Sequence, residues 1–228
     1  MQVQKRDGQL EDLDIDKLHK VVMYAVEGIT GVSASEVEIN SHIQFFDKIS
    51  STDIQETLIK SAADLISEES PNYQYVGGRL INYHLRKEVY GTFTPPCLCD
   101  IIQKNIDIGF YDTEFTELYT KDEINQLQEY IDHDRDEYLT YAAMEQFRGK
   151  YLVQNRATGE IFETPQVAYI MIAATLFSKY PAGTRMKYVK AYYDAISTFK
   201  ISLPTPVMAG VRTPQRQFSS CVLIETDD

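Results

Sequence analysis

The sequence predicts an α+β protein that is mainly α. Apolar residues recur at helical spacing over most of the 228 residues, a short hairpin pattern lies near the N-terminus, and a β-branched apolar run lies near the C-terminus. Hydrophobic residues make up 43% of the chain and charged residues 25%, a balance typical of globular proteins. The length is enough for one large domain or two ordinary ones.

The chain is acidic, with a formal net charge of −12. Nucleic acids and anionic membranes are generally bound through clustered positive charge, so we expect neither as a partner. The N-terminus has no apolar signal region, and no run of about 18 apolar residues occurs. We therefore expect a soluble, cytoplasmic protein.

The first part of the chain has the pattern of a hairpin followed by helices. Residues 3–13 contain two strand patterns around Asp7-Gly8, the dipeptide that a type I′ turn prefers. Asp14 is a candidate N-cap for the first helix. Residues 35–46 fit either a short helix or a strand, and we favour the helix. Thr52-Asp-Ile-Gln55 predicts a capping box that opens another helix.

A helix over residues 73–90 completes this unit, so that residues 1–91 are predicted to form a hairpin over about four helices. Residues 92–197 are predicted to form a second, helical domain. In it, Thr120-Lys-Asp-Glu123 predicts a capping box, residues 150–163 a hairpin, and Thr164-Pro165 the start of a helix. A further helix is expected from about residue 184 to residue 197.

The last segment, residues 198–228, has the pattern of a strand, a loop rich in proline and glycine, and a second strand that begins at Cys221.

Two other motifs are interpreted as carrying no chemistry. Cys97-Leu-Cys99 offers only two ligands, so we predict neither a metal site nor a redox role there. Residues 132–136 lack the glycine and the final glutamate of a calcium loop, and are interpreted as a solvated helix turn.

Motifs along nearly the whole chain resemble the large subunit of class I ribonucleoside-diphosphate reductase, especially enterobacterial and T4-like phage members. These motifs are Lys5-Arg-Asp-Gly8, Asp16-Lys17, Ser51-Thr-Asp53, Leu85-Arg-Lys87, Gly149–Arg156 with Thr158-Gly-Glu160, Lys200–Pro206 and Phe218–Cys221. The resemblance implies three parts. Residues 1–91 would be an ATP-cone, residues 92–197 the helical domain, and residues 198–228 the first strand of an incomplete ten-stranded α/β barrel.

The resemblance implies that the ATP-cone binds ATP or dATP as an allosteric effector. The implied nucleotide-binding residues are Lys5, Glu11, Asp12, Leu13, Asp14, Ile15, Asp16, Lys17, Ser51 and Lys87. Lysines and the N–H groups at a helix start are the groups that phosphates need. Gln55 stands where related enzymes often carry histidine, so we expect dATP to inhibit weakly.

The resemblance also implies that Cys221 is catalytic, as half of the redox pair that reduces the 2′-carbon of a ribonucleoside diphosphate. Thr205 and Ser220 would line the substrate. The remaining groups are expected in other chains. A C-terminal large-subunit fragment would supply the rest of the barrel and the specificity site, a small subunit would hold the diiron-tyrosyl radical, and thioredoxin or glutaredoxin would supply electrons. No metal is expected in this chain.

Two functions follow from these expectations. The favoured one is the N-terminal piece of a split reductase, inactive alone, that makes deoxyribonucleoside diphosphates for DNA synthesis once it is assembled; a phage-encoded chain would do so in the host cytoplasm. The alternative is a stand-alone ATP-cone that senses nucleotides without catalysis. Retention of Thr205, Ser220 and Cys221 favours the enzyme. A truncated gene product or an expression fragment is a third possibility.

Overall fold

The computed structural model describes residues 1–42 and 44–224. The strands are β1 (Gln2–Gln4), β2 (Leu10–Asp12) and β3 (Ile49–Ser50). The α-helices are α1 (Ile15–Val26), α2 (Ala34–His42), α3 (Ser51–Asp64), α4 (Tyr73–Tyr90), α5 (Leu98–Asp107), α6 (Glu114–Leu118), α7 (Lys121–Tyr130), α8 (Tyr141–Gln146), α9 (Pro165–Phe177), α10 (Ala182–Ser197) and α11 (Thr205–Gly210). A 3₁₀-helix spans His133–Tyr138 and a π-helix spans Phe147–Tyr151.

The chain divides into two compact units. One contains residues 1–88 and 136–146, and the other contains residues 89–135 and the chain from residue 147 onward. The domain boundaries predicted at residues 91 and 197 stay predictions. The prediction of a mainly helical α+β fold is confirmed. Among the described residues, no helix is both long enough and apolar enough to cross a membrane.

A three-stranded sheet forms at the start of the first unit. Strand β1 pairs with β2 in antiparallel fashion, with Val3 opposite Glu11, and with β3 in parallel fashion, with Val3 opposite Ile49. The hairpin is therefore confirmed, but its type I′ turn is wrong. That turn needs positive φ at two central residues, and here only Gly8 has it, at +84°. The Gly8 N–H donates to the Lys5 carbonyl at 2.9 Å.

The helix starts show how local hydrogen bonds set boundaries. Helix α1 begins after Asp14, whose carboxylate accepts the Lys17 N–H at 3.1 Å, as predicted. Helix α3 begins after Ser50, whose Oγ accepts the Asp53 N–H at 2.9 Å. The predicted capping box at Thr52 is therefore wrong, because Thr52 already lies inside the helix.

The segment 35–46, for which the sequence allowed a helix or a strand, forms helix α2 over Ala34–His42, so the strand alternative is wrong there. Ile43 lies outside the described residues.

Helix α4 lies at the core of the first unit and packs against the 136–146 segment. A Cβ at Gly78 would overlap the carbonyl oxygen of Leu139, so only glycine permits this close approach. The Arg86 Nη2 donates to the Asp136 Oδ2 at 3.0 Å, and both side chains are buried. The prediction of a solvated turn is therefore wrong for Asp136, because its carboxylate neutralises a buried guanidinium.

The second unit is organised around helix α9. The first ten residues of α9, from Pro165 to Ala174, are buried, and α10 packs along the helix. The predicted capping box of α7 is confirmed between Thr120 and Glu123. Hydrogen bonds from Arg185 to the Glu123 carboxylate hold the pKa of Glu123 below its ordinary value. These bonds tie the start of α7 to α10.

The two predictions of β-structure in the second unit have different outcomes. The predicted hairpin over residues 150–163 forms only in part: Gln154 and Ile161 form an antiparallel bridge, and the Phe162 N–H donates to the Val153 carbonyl at 3.0 Å, whereas Lys150 and Tyr151 belong to the π-helix. The predicted strands near the C-terminus are wrong. No strand forms among the described residues of 198–228, where helix α11 forms instead. Residues 222–224 are 70%, 99% and 76% exposed. A strand requires a neighbour for its backbone N–H and C=O groups, and no described residue supplies one to this run.

We predict that Asn82→Leu raises the free energy of unfolding. Asn82 lies fully buried in α4, and both its Oδ1 and its Nδ2 lack hydrogen-bond partners among the described residues. Leucine has a similar shape and no polar atoms, so the change should stabilise the protein by about 1–2 kcal/mol. Urea denaturation followed by circular dichroism measures this difference.

The matched control is Asn72→Leu in the same unit. The Asn72 Nδ2 donates to the Thr30 carbonyl at 2.9 Å, so this variant should lose up to about 1 kcal/mol. A loss of stability in Asn82→Leu, or equal effects of the two substitutions, would contradict the assignment of Asn82 as an unsatisfied buried amide.

Candidate functional site

A cavity of about 100 Å³ lies in the first unit between the hairpin, α1 and the start of α3. Its floor is apolar, formed by the buried side chains of Val3, Leu18 and Ile54. Its other lining residues are Lys5, Glu11, Asp12, Leu13, Asp14, Lys17, Ser51 and Gln55. An apolar floor below charged groups suits a ligand that joins a flat apolar ring to anionic groups.

Seven of the ten residues predicted to bind nucleotide line this cavity: Lys5, Glu11, Asp12, Leu13, Asp14, Lys17 and Ser51. The other three do not line it. Ile15 is 56% exposed and Asp16 is exposed in the first turn of α1. The Lys87 Nζ lies 4.5 Å from the centre of the Tyr83 ring. The Arg6 Nη1 donates to the Lys87 carbonyl at 2.8 Å, which ties the hairpin loop to α4.

Both lysines of the cavity are paired with carboxylates. The Lys5 Nζ lies 3.4 Å from the Glu11 Oε2, and the Lys17 Nζ lies 3.4 Å from the Asp14 Oδ2. The hydrogen bond from the Lys17 backbone N–H lowers the pKa of Asp14. An anionic ligand that reaches these lysines must therefore compete with two carboxylates that are already in place.

The start of α3 supplies polar groups to the same cavity. Ser51 is the first residue of the helix, where backbone N–H groups lack partners within the helix. The Oε1 of Gln55 is buried and has no hydrogen-bond partner among the described residues. The sequence singled out Gln55 only as a replacement for histidine and as a member of a capping box that does not form. Its place in the cavity depends on β3, which is too short to produce a strand pattern.

A buried charge cluster fixes the chain from α11 to residue 213 in the second unit. The Arg212 and Glu163 side chains are both 0% exposed, and the Arg212 Nε donates to the Glu163 Oε2 at 2.8 Å. Further Arg212 donations reach the Met208 carbonyl at 2.6 Å and the Tyr151 carbonyl at 3.0 Å. The Tyr111 hydroxyl donates to the Glu163 Oε2 at 2.5 Å.

Burial, together with the charge of Glu163, raises the pKa of Tyr111 well above its ordinary value. Tyr111 therefore stays a neutral donor to the cluster. The sequence did not reveal this cluster, because its members lie about 50 residues apart along the chain. Hydrophobic periodicity and capping patterns concern residues within a few positions of one another, so they do not indicate contacts between residues so far apart in sequence.

The residues predicted to serve catalysis are not gathered into one site. Thr205 is the partly buried first residue of α11, whereas Ser220 and Cys221 lie on exposed chain without secondary structure. Cys221 is a free, exposed thiol. The Ser219 Oγ donates to the Cys221 carbonyl at 2.8 Å. The predicted roles of Thr205, Ser220 and Cys221 therefore stay predictions.

Comparisons with protein families match two regions of the chain. Residues 1–88 match the ATP cone domain, and residues 137–216 match the all-alpha domain of ribonucleotide reductase. The first match contains the cavity, and the second contains Glu163 and Arg212.

The whole chain is also similar to reductase subunits. It is 58% identical over 226 residues to ribonucleoside-diphosphate reductase 1 subunit alpha of Escherichia coli, covering 99% of this chain and 30% of that protein. The subunit alpha of Haemophilus influenzae is 56% identical over 228 residues, covering 100% and 30%. That of phage T4 is 44% identical over 224 residues, covering 98% and 29%. The chain therefore spans about 30% of the length of these relatives.

We predict that Arg212→Met destabilises the protein by about 3–5 kcal/mol, because it leaves the Glu163 carboxylate buried and unpaired. The double variant Arg212→Met with Glu163→Gln removes both charges and keeps an oxygen that can accept from Tyr111 or Val153, so it should recover part of that loss. Urea denaturation measures both variants.

The control is Arg216→Met. Arg216 pairs with Asp112 at the surface, with 58% of its side chain exposed, so its loss should destabilise the protein far less than the loss of Arg212. Equal destabilisation by Arg212→Met and Arg216→Met would show that the buried cluster does not organise this region.

Proposed function

Because this chain belongs to the family of ribonucleoside-diphosphate reductase alpha subunits, whose N-terminal part it matches, we propose that it is the effector-binding part of such a reductase. The proposed overall reaction reduces ribonucleoside diphosphates to deoxyribonucleoside diphosphates for DNA synthesis. The complete assembly would also contain the rest of the large subunit, the small radical-bearing subunit, and thioredoxin or glutaredoxin as the electron source. It would work in the cytoplasm.

The proposal depends most on the cavity of the first unit, where residues from three different segments meet. We propose that this cavity binds ATP or dATP. The apolar floor would hold the base or the sugar. The phosphates would take Lys5 and Lys17 from their carboxylate partners and would face the N–H groups at the start of α3. Lys87 would act as a further cation beside the hairpin loop.

The proposed role of Cys221 is in the chemical step. Its thiol and a second thiol from the rest of the large subunit would together supply two electrons and two protons to the substrate. The 2′-hydroxyl would leave as water, the 2′-carbon would gain a hydrogen, and the two sulfurs would form a disulfide. An exposed free thiol at Cys221 is compatible with this role. Thr205 and Ser220 are proposed to contact the substrate.

The second candidate function is a nucleotide-sensing module without catalysis. It is favoured by one observation: the cavity proposed to bind nucleotide is formed within the first unit alone, whereas Thr205, Ser220 and Cys221 are not gathered. The two functions differ in whether turnover requires Cys221, so substitution of Cys221 distinguishes them.

We predict that the full chain binds ATP and dATP and that Lys5→Ala weakens this binding about 10–100-fold. A charge-assisted hydrogen bond contributes about 1.5–3 kcal/mol, which corresponds to this range. Isothermal titration calorimetry measures the affinity for each nucleotide. Affinity should also fall as salt is added, since ionic contacts to phosphate are screened.

The matched control is Lys20→Ala, which removes an exposed lysine of α1 that does not line the cavity. It should leave the affinity unchanged. Absence of binding heat with both nucleotides would rule out the proposed effector site. Equal losses in the two variants would show that net charge, rather than Lys5, governs binding.

We predict that Cys221→Ser abolishes turnover of the complex reconstituted from this chain, the remaining large-subunit polypeptide and the small subunit, with a dithiol reductant. Serine cannot form the disulfide, so product formation should fall to background. Nucleotide binding should be unaffected, because the cavity lies in the other unit.

The control is the double variant Cys97→Ser with Cys99→Ser, which removes the chain's other two cysteines and should retain turnover. Deoxyribonucleotide formation is followed by chromatography. Persistent turnover in Cys221→Ser would contradict the assigned role of Cys221 and would favour the sensing module.

A further inference from the structure

An exposed disulfide joins Cys97 and Cys99 at the start of α5. The two Cα atoms lie 5.4 Å apart, within the usual range for bonded cysteines. The sequence predicted no redox role for this pair, because a C-x-C spacing is too sparse for a metal site and does not match a known disulfide framework. The bond and its exposure require a different interpretation.

We propose that Cys97 and Cys99 form a redox-active pair that exchanges its disulfide with dithiols in solution. The pair lies in the second unit and shares no residue with the nucleotide cavity or with the Cys221 segment. The proposal therefore stands apart from the proposed reductase function.

The backbone that carries the pair is held on both sides. Leu98, between the two cysteines, is 1% exposed, and its N–H donates to the Gln128 Oε1 of α7 at 2.5 Å. Pro95 and Pro96 restrict the preceding chain. These anchors do not depend on the S–S bond, so the two thiols stay close together after reduction. Closely held thiols re-form a disulfide readily.

The two sulfurs lie in different electrostatic surroundings. Cys97 is the N-cap of α5, and its Sγ lies 3.4 Å from the Asp100 N–H that points out of the helix start. A helix N-terminus stabilises a thiolate. A carboxylate oxygen of Asp100 lies 3.7 Å from the Cys99 Sγ and one lies within 4.8 Å of the Cys97 Sγ, but only Cys97 also has the helix N–H beside it, so the carboxylate charge disfavours a thiolate more strongly at Cys99. Cys97 is therefore the better leaving group, and Cys99 is the sulfur that is attacked.

Exchange of the Cys97–Cys99 disulfide with a dithiol takes two steps. One thiolate of a dithiol attacks the Cys99 Sγ, the S–S bond breaks, and the Cys97 sulfur leaves as a thiolate that takes up a proton. The second thiolate of the donor then attacks the donor's own sulfur in the mixed disulfide and releases Cys99, which also takes up a proton. Two electrons and two protons pass to the protein, and the dithiol becomes a disulfide. A disulfide oxidant reverses both steps.

A metal clip is the competing interpretation of the same residues. Within the described part of the chain, Cys97, Cys99 and Asp100 place one ligand atom each within 4.8 Å of one another. Structural zinc normally takes four ligands in a closed site, whereas these three residues are all exposed. Disulfide exchange is therefore favoured, and the experiment includes zinc as a probe.

The first measurement determines the redox state of Cys97 and Cys99 in the full chain. Trypsin should release residues 88–104 as one peptide, cut after Lys87 and Lys104, that contains both cysteines and no other. After treatment with oxidised glutathione, mass spectrometry should find this peptide with an internal disulfide. After dithiothreitol and iodoacetamide, it should carry two alkyl groups. Two free thiols after the oxidant, or a bond that dithiothreitol leaves intact, would overturn the proposal.

The second measurement tests the asymmetry with single variants that retain Leu98 and Gln128. At neutral pH, iodoacetamide should alkylate Cys97 in Cys99→Ser about threefold faster than it alkylates Cys99 in Cys97→Ser. The helix start should give Cys97 about tenfold more thiolate than Cys99 has. A stabilised thiolate is also less nucleophilic, which reduces the difference in rate to about threefold. Adding Asp100→Asn to Cys97→Ser should speed the reaction of Cys99. Equal rates in the two single variants would overturn the proposed direction of attack.

The third measurement follows alkylation of the two thiols after zinc chloride is added to the reduced full chain. Unchanged alkylation of both thiols at one equivalent of zinc supports the exchange site. Complete protection of both thiols at that ratio would overturn it in favour of a metal clip. Circular dichroism of each variant confirms that α5 remains folded, so that a difference in rate can be assigned to the sulfur's surroundings.

Discussion

The buried ion pair between Arg212 and Glu163 is the constraint on which the second unit depends. Removing two charges from water costs several kcal/mol per ion, so the pair is tolerable only if every donor and acceptor is satisfied. Arg212 meets this condition with Glu163 and two backbone carbonyls, and Glu163 with Tyr111 and the Val153 N–H. The cluster thereby joins the loop before α9 to the segment after α11. The position of the chain that leads towards Cys221 follows from it.

A comparable constraint in the first unit comes from backbone pairing. Strand β3 is only two residues long, yet its parallel pairing with β1 places the start of α3 beside the hairpin. Ser50 ends that strand and caps α3, so one residue finishes the sheet and sets the helix boundary. Because of this arrangement Lys5 and Ser51 line one cavity although they lie far apart in sequence. The proposed effector site is thus a product of sheet topology.

The sequence predicted those features that depend on neighbours within one helical turn. Apolar spacing and caps located α1, α4 and α9 and identified Asp14 and Thr120 as N-caps. The incorrect predictions concern features that depend on contacts between residues far apart in sequence. Asp136 was expected in solvent, but Arg86 neutralises it inside the protein. The strand at Cys221 was expected from β-branched residues, but a strand is stable only beside another strand. Most cavity residues were found through motifs, whereas the apolar floor and Gln55 required the three-dimensional fold.

The charges around the proposed effector site argue for recognition of a polyphosphate together with an apolar group. Two lysines and three carboxylates line the cavity, so its rim is slightly acidic and has no general attraction for phosphate. The two lysine–carboxylate pairs are exposed to solvent, and such pairs are weak, so breaking them costs a ligand little. A ligand that engages both lysines recovers this cost, whereas a single phosphate reaching one lysine still faces the remaining carboxylates. Burial of an apolar ring on Val3, Leu18 and Ile54 adds a contribution that inorganic phosphate lacks. Selectivity for a nucleotide would therefore come from this combination of contacts.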